Sequence, residues 1–149
     1  MTNQIALMKI EFTSIGTIYT PYDDQAPFRP ELDAEGEFSI IIDREYQDAL
    51  QDLEKFSHII VLFYFDKATK TNLKAHPPRL NGKETVLLAS RSPNRINKVG
   101  MDIVKVLDIT DNVIKTSAMD ILNNTPLIDI KPYIPDLDCH PDANPAHFA

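Results

Sequence analysis

The chain has 149 residues, of which 43% are apolar and 25% charged, and a net charge of −7. This size and composition are typical of a soluble globular protein, so we expect a single domain over 1–149, with a core at about 15–135 and a tail at 136–149. No apolar run reaches the roughly 18 residues of a membrane span, and no signal peptide is expected. A single cysteine, Cys139, excludes an intrachain disulfide and favours a reducing cytoplasm.

The charge is spread unevenly along the chain. An acidic average argues against a general nucleic-acid binder, but residues 67–105 hold nine Lys or Arg and two acids, which is a net of +7. The remaining residues must then carry −14, because the total is −7. This asymmetry favours a local basic patch on an acidic body. Scattered surface lysines are the alternative.

Three patterns divide the first part of the chain: alternating apolar residues indicate strands, segments rich in Pro and acids indicate loops, and apolar residues at helical spacing indicate a helix. The predicted elements are a strand at 9–19, a loop at 21–35, a strand at 36–42, a helix through residue 55 and an apolar strand at 56–65. Gly16 indicates a bulge in the first strand. Asp43 is a candidate N-cap for the helix. His58, inside the apolar strand, is predicted to be a core or edge residue rather than a catalyst.

The second part of the chain predicts a basic loop at 66–83, a strand at 84–90, a hairpin of strands at 101–109 and 113–119, and a last strand at 127–131. Six or seven strands with one short helix indicate a mainly β, antiparallel fold. Closure into a small β-barrel is expected, since closure removes exposed sheet edges.

The sequence lacks the motifs of several common kinds of binding and catalytic site. None of the four glycines forms G-x-G-x-x-G or a P-loop, so a nucleoside cofactor would bind without a Rossmann crevice. No Ser lies in a nucleophile elbow. Cys139 with His140 and His147 is a poor ligand set, and no metal is expected.

Two stretches, 89–100 and 124–135, carry charged side chains on extended runs that end in proline-punctuated turns. In the first, Arg91 and Arg95 flank a Ser-Pro that cannot continue a regular strand. In the second, Asp129 and Lys131 are two residues apart, so both side chains leave the same face of a strand. A surface ion pair and a solvated loop are the simpler interpretation.

The motifs Arg-Ser-Pro-x-Arg-x-Asn-x-x-Gly and Thr-Pro-x-x-Asp-Ile-Lys-Pro-Tyr-x-Pro resemble the TsaA-like (TrmO-type) family. Members of this family are tRNA methyltransferases that methylate N6-threonylcarbamoyladenosine. The resemblance extends from about residue 15 to residue 135. It implies a small β-barrel paired as a homodimer, S-adenosylmethionine as cofactor, and tRNA as partner.

The resemblance also implies a set of cofactor-binding residues: Arg91, Met101, Asp120, Ile121, Leu122, Asn123, Asp66, Lys67, Phe28, Arg29 and Pro30. The chemistry of the side chains is compatible with this role. Arginine recognises a carboxylate through a fork of donors, and an acid such as Asp120 accepts from ribose hydroxyls or an amino group.

Methyl transfer to this acceptor requires assistance, because the conjugated nitrogen is a weak nucleophile that must lose a proton. Asp129 is the nearest candidate base by motif, while Lys131 and Tyr133 are candidates for orienting the substrate or stabilising charge. Candidate RNA-binding residues share the basic stretch and are Arg79, Arg95, Asn97 and Lys98.

The chain departs from the family pattern at several positions. Asn123 and Asn124 replace the usual Asp-Gly, and Asn124 is tolerant if that position requires φ > 0. Ile96 and Lys98 replace prolines, which makes that loop less rigid. The expected function is a tRNA methyltransferase. The alternatives are a diverged, catalytically weakened relative that binds the cofactor or RNA as a sensor or partner protein, and a structural β module without a ligand.

Overall fold

The computed structural model describes residues 6–28, 30 and 34–146. These form eight strands, namely β1 (Gly16–Tyr19), β2 (Ser39–Ile42), β3 (His58–Tyr64), β4 (Lys74–Ala75), β5 (Thr85–Val86), β6 (Val99–Thr110), β7 (Val113–Thr116) and β8 (Thr125–Pro132). A short helix, α1, spans Pro135–Asp138, and 3-10 turns lie at Arg44–Leu50, Leu53–Lys55, Pro78–Leu80 and Leu87–Ala89.

Six strands close into an antiparallel barrel in the order β1-β2-β7-β6-β3-β8. β3 lies between β6 and β8 and pairs with both along most of its length. The predicted small antiparallel β-barrel is therefore confirmed. β4 and β5 pair with each other outside the barrel.

The barrel interior is filled by apolar side chains, most of them on alternate strand positions and two of them, Met119 and Ile121, on the segment between β7 and β8. The fully buried members are Ile18, Ile40, Ile59, Val61, Val104, Ile114, Met119, Ile121 and Leu127. Because alternate residues of a strand face opposite sides, the same strands present their intervening residues to the outside. Burial of each such side chain contributes about 1.5–3 kcal/mol.

The first strand is shorter than the predicted 9–19. β1 begins at Gly16, and the preceding Ile10 and Phe12 are 72% and 64% exposed. The apolar alternation there is real, but β2 and β8 pair only with residues from Gly16 onward. Gly16 itself is not in a bulge, because its pairing is regular; a Cβ at this position would meet the Ile41 carbonyl oxygen.

The predicted helix is two 3-10 turns. Asp52 separates them with a left-handed backbone (φ 70°), which an α-helix cannot accommodate. Asp43 occupies the N-cap position of the first turn without a side-chain capping bond, and its carbonyl oxygen accepts from the Tyr46 amide (2.9 Å). Over such short lengths, the spacing of apolar residues in the sequence does not distinguish a 3-10 helix, with i to i+3 hydrogen bonds, from an α-helix, with i to i+4 hydrogen bonds.

The region 66–90 differs in detail from the prediction. The basic loop contains β4, and the predicted strand at 84–90 is the two-residue β5 followed by the turn Leu87–Ala89. Leu87 is buried, so this turn attaches the segment 66–90 to the rest of the protein. Among the described residues, the helical segments lack the length and hydrophobicity of a membrane span.

Candidate functional site

Three loops emerge at one end of the barrel, which we call the site end. β3 runs antiparallel to β6 and β8, so the end of β3 and the beginnings of β6 and β8 lie together. The segments 65–73, 90–98 and 117–124 adjoin these strand ends. The first two are bonded to each other, since the Phe65 amide donates to the Lys98 carbonyl (2.8 Å) and the Asn72 amide to the Asn94 carbonyl (3.0 Å).

The predicted cofactor segment 120–123 is held from two sides. The Thr20 hydroxyl donates to the Ile121 carbonyl (2.6 Å), and the Asn123 amide donates to the Tyr22 carbonyl (2.6 Å). From the opposite side, Lys67 Nζ donates to the Asn123 carbonyl (2.8 Å). The structure therefore brings together two residues, Lys67 and Asn123, that are 56 positions apart in the chain.

The two asparagines that replace Asp-Gly have structural explanations. Asn124 has φ 64°, which confirms that this position requires a left-handed backbone. The Asn123 side chain accepts from the Thr20 amide (3.1 Å) and donates to Asp23 Oδ1 (3.1 Å). An aspartate at 123 would lose the second bond and would repel Asp23, so the amide suits this loop.

A carboxyl pair lies at the site end, next to an arginine. Beyond β7 the chain continues alongside β6, because the Ser117 amide donates to the Lys105 carbonyl (2.9 Å). Three residues later comes Asp120, whose carboxylate acts on the carboxyl group of Asp102 in β6. Burial and the charge of Asp120 raise the pKa of Asp102 from 3.8 to about 6, while Arg91 acts weakly in the opposite direction.

Asp102 was missed by the sequence reasoning. The signal was present, since Gly100, Asp102 and Val104 share the inward face of β6, where an ionisable side chain is unusual. In the sequence, however, Asp102 was only one of two acids within a basic stretch. The side chain that it contacts, Asp120, is distant in sequence.

The arginine loop is held by its own basic side chains. Arg95 Nη1 donates to the Ser90 carbonyl (2.7 Å), and Lys98 Nζ donates to the carbonyls of Lys70 (2.7 Å) and Arg95 (2.9 Å). Both residues thus shape the loop, in addition to the RNA role predicted for them. The other two candidate RNA-binding residues, Arg79 and Asn97, are exposed.

The candidate catalytic residues lie on the outside of the barrel. Lys131 Nζ is 3.2 Å from Asp129 Oδ2, and these residues lie opposite Ile60 and Leu62 of β3. The Tyr133 amide donates to the His58 carbonyl (3.0 Å). Loss of hydration, followed by the Cys139 thiol, raises the pKa of the Tyr133 phenol.

The candidate catalytic residues thus lie on the outer wall of the barrel, whereas most candidate cofactor residues lie on the loops of the site end. Met101, a candidate cofactor residue, is in the same outer row as Leu62 and Asp129, whereas Asp102 faces inward. His58 is half-buried on the same outer face, and its Nδ1 is 2.8 Å from Ser57 Oγ.

The remaining candidates lie in the two long loops. Asp66 is exposed directly after β3, and its amide donates to the Tyr64 carbonyl (2.8 Å). Phe28 is 52% exposed, Pro30 is half-buried, and Arg29 lies outside the described residues. Within the described ranges, no group of three or more His, Cys, Asp or Glu could hold a metal ion.

Comparison with known proteins gives a consistent result. Residues 17–139 match the family model of the tRNA-methyltransferase O N-terminal domain. The chain is 38% identical over 122 residues to an S-adenosyl-L-methionine-binding protein of Archaeoglobus fulgidus, which covers 77% of this chain and 87% of that protein. It is 34% identical over 152 residues to the tRNA (adenine(37)-N6)-methyltransferase of Escherichia coli, covering 95% of this chain and 65% of that enzyme.

A crystal structure of TrmO from Pseudomonas aeruginosa has the same fold, with a TM-score of 0.76 at 26% identity over 92% of this chain and 62% of that one. The chain thus spans just under two thirds of the length of these two methyltransferases. The matched residues include strands β2 to β8 and the three loops of the site end. The chain therefore belongs to the family of the tRNA-methyltransferase O N-terminal domain.

Proposed function

We propose that this chain is an S-adenosylmethionine-dependent tRNA methyltransferase that methylates N6 of threonylcarbamoyladenosine next to the anticodon. The observation that carries the proposal is the assembly of Lys67, Arg91 and the segment 120–123 at one end of the barrel. Membership of the family and similarity to a tRNA (adenine(37)-N6)-methyltransferase support the same reaction.

The residues of the site end suit a cofactor with a carboxylate, positive charge and a nucleoside. Arg91 is exposed and can pair with the carboxylate through its fork of donors. Asp120 can accept from an ammonium or a ribose hydroxyl, and backbone atoms of 120–123 can meet an adenine edge. When bound, S-adenosylmethionine supplies an electrophilic methyl group.

The protein's contribution to transfer is positioning and removal of a proton. Asp129 is the proposed base, because a carboxylate can accept the proton that leaves N6 as the new N–C bond forms. Lys131, 3.2 Å away, orients that carboxylate. Tyr133 can donate a hydrogen bond to the substrate, because a phenol is protonated at neutral pH and the pKa of this one is shifted further upward.

The position of Asp129 on the outer wall, away from the loops that carry most of the candidate cofactor residues, supports a homodimer with shared sites. The outer face that carries Asp129 also exposes apolar side chains of β3 and β6, including Tyr64, Met101 and Ile103. An exposed apolar face of this kind favours contact with another protein surface. In the proposed dimer, Asp129 of one protomer approaches the site end of its partner.

The tRNA partner is supported by the basic rim of the site end. Lys67, Lys70, Arg91, Arg95 and Lys98 all lie on its two bonded loops. Phosphate groups are attracted to such a rim even when the protein as a whole is acidic. We further propose that the protein acts in the cytoplasm and that residues 1–149 form a single domain.

The test is direct. The 149-residue protein is incubated with S-adenosylmethionine and tRNA that carries threonylcarbamoyladenosine, and the nucleosides are analysed by mass spectrometry. Addition of one methyl group to that nucleoside is expected, and the Arg91→Ala variant should lose it. Cofactor and tRNA binding without any methylated nucleoside would instead support the alternative of a sensor or partner protein, which the absence of a carboxylate at Asn123 favours.

A further inference from the structure

A polar cleft lies between the two bonded loops of the site end, where the loop 65–73 continues into β4. It is lined by residues 72 and 74–77 from one side, and by Ser92 and Asn94 of the loop 90–98 from the other. None of these residues is in the predicted cofactor-binding set, so the proposed cofactor does not account for the cleft. Its volume is about 240 Å³, below the roughly 300–1,000 Å³ of pockets that hold a whole drug-sized ligand. The cleft therefore suits a smaller group, such as one base of a nucleic acid.

Two side-chain amides of the cleft have hydrogen-bonding capacity that the described residues do not use. Asn94 is half-buried, and its backbone accepts from the Asn72 amide (3.0 Å) and donates to Ser92 Oγ (3.2 Å). Its side chain, however, bonds to no other residue within the described ranges. Asn72 Oδ1 accepts from the Lys74 amide (3.1 Å), which leaves the Asn72 side-chain N–H groups available. A half-buried amide without a protein partner has lost hydration and gains free energy from a polar ligand.

The positive charge beside the cleft is only partly neutralised. Lys74 pairs with Glu84 (3.0 Å), and His76 Nε2 is 3.9 Å from the same carboxylate. Lys98 Nζ donates to the Lys70 carbonyl (2.7 Å) and so joins the two loops next to the cleft. Neither Lys70 nor Lys98 pairs with an acid of the described chain, and Lys70 is exposed. Both ammonium groups are therefore available to phosphates.

We propose that the cleft binds one unstacked base of the tRNA anticodon loop, a neighbour of the adenosine that is methylated. This inference rests on the proposed tRNA substrate. Asn72 and Asn94 recognise the edge of the base, the exposed imidazole of His76 stacks on its face, and Lys70 and Lys98 bind the adjoining phosphates. Sequence-specific binding of RNA commonly uses single-stranded loops, whose bases can leave the stack. The bound neighbour fixes the position of the modified adenosine at the site end.

Binding of variant proteins to variant RNAs tests the assignment. The probes are a synthetic anticodon stem-loop that carries threonylcarbamoyladenosine and two versions of it with an abasic residue just before or just after that nucleoside. Affinities are measured by fluorescence anisotropy. Asn94→Ala should weaken binding of the intact stem-loop about tenfold. It should have no effect on the abasic stem-loop that lacks the base of the cleft.

His76→Ala provides an independent measurement, with an expected loss of about fivefold or more and the same selectivity among the three stem-loops. Gln51→Ala is the matched control, because it removes an exposed side-chain amide from the segment that precedes β3. This variant should bind all three stem-loops as the unmodified protein does. Circular dichroism establishes folding, which Asn94→Ala should retain because the bonds of Asn94 are made by its backbone.

Equal weakening of all three stem-loops by Asn94→Ala, or no weakening of any, would overturn the proposal. Titration calorimetry should show the same affinity for S-adenosylmethionine in Asn94→Ala and in the unmodified protein. A reduced affinity would place Asn94 in the cofactor site and would also overturn the proposal. Failure of the proposed function is distinguishable, because selective binding without any methylated nucleoside would remove the reaction and support the cleft. Methylation without that selectivity would remove the cleft alone.

Discussion

At the scale of single residues, the acids near the site end have different neighbours. Asn123 holds two loops together with a neutral amide beside Asp23, where a carboxylate would repel. Asp102 and Asp120, by contrast, are kept adjacent although both are acids. Functional residues are often charged even where that charge lowers the stability of the folded protein.

Asp102→Asn is therefore expected to stabilise the fold. The pKa of this carboxyl is about 6 in the folded protein and 3.8 ordinarily, so ionised Asp102 lowers stability as the pH rises from about 4 to 6, and the loss persists above that. The variant should gain about 1–3 kcal/mol at pH 7.5 and less at pH 5. Urea unfolding at both values checks this. A less stable variant at pH 7.5 would mean that the carboxylate contributes bonds that outweigh its repulsion.

At the scale of elements, the start of β6 determines where Asp102 lies. Gly100 precedes it on the same inward face, and a Cβ there would meet the ring of Phe63, which packs edge-on against Phe65. A glycine is needed at this point because two aromatic rings approach the backbone of the strand closely.

Gly100→Ala should cost about 1–3 kcal/mol, since the rings must move to admit the methyl group. The change should also weaken cofactor binding, because displacement of β6 would move Met101, the candidate cofactor residue that follows Gly100. Thermal unfolding and cofactor titration measure the two effects. Leu107→Ala, at a 60% exposed position of the same strand, should change the stability by under about 0.5 kcal/mol. Equal effects of the two substitutions would contradict the close packing at Gly100.

How far the sequence predicts each element depends on whether local pattern or distant partners decide it. The central strands were predicted closely, because apolar runs such as β3 have few alternatives to a buried strand. The strand predicted before Gly16 does not form, because alternating apolar residues make a strand only where a neighbouring strand pairs with them. Likewise the charge of Arg95 predicted an RNA contact, but nothing in the sequence reveals its bond to the Ser90 carbonyl.

At the scale of the whole molecule, a local excess of positive charge lies on an acidic body. Residues 67–105 carry +7, and their lysines at 67, 70 and 98 gather on the loops of the site end. Part of the excess is neutralised, because Lys74 pairs with Glu84 (3.0 Å). The arrangement directs a polyanion to the site end.

Binding of tRNA should accordingly weaken with salt, by about tenfold to a hundredfold between 50 and 200 mM, because a few phosphate contacts release counterions. Filter binding at several salt concentrations measures the slope. Lys70→Ala should reduce the slope by about one unit, whereas Lys55→Ala, in the turn Leu53–Lys55, should leave it unchanged. Affinity that is flat across this range would rule out the basic rim as the tRNA surface.

The proposed dimer requires Asp129 of one protomer and Arg91 of the other to act on the same substrate. In a two-fold dimer each shared site occurs twice. Inactive Asp129→Ala and Arg91→Ala proteins are therefore denatured together, refolded and assayed for tRNA methylation. About half the dimers would be mixed, each with one intact site of two, so about a quarter of the unmodified activity is expected. Mixed dimers, verified by mass, that recover no activity would place both residues in a site on a single chain.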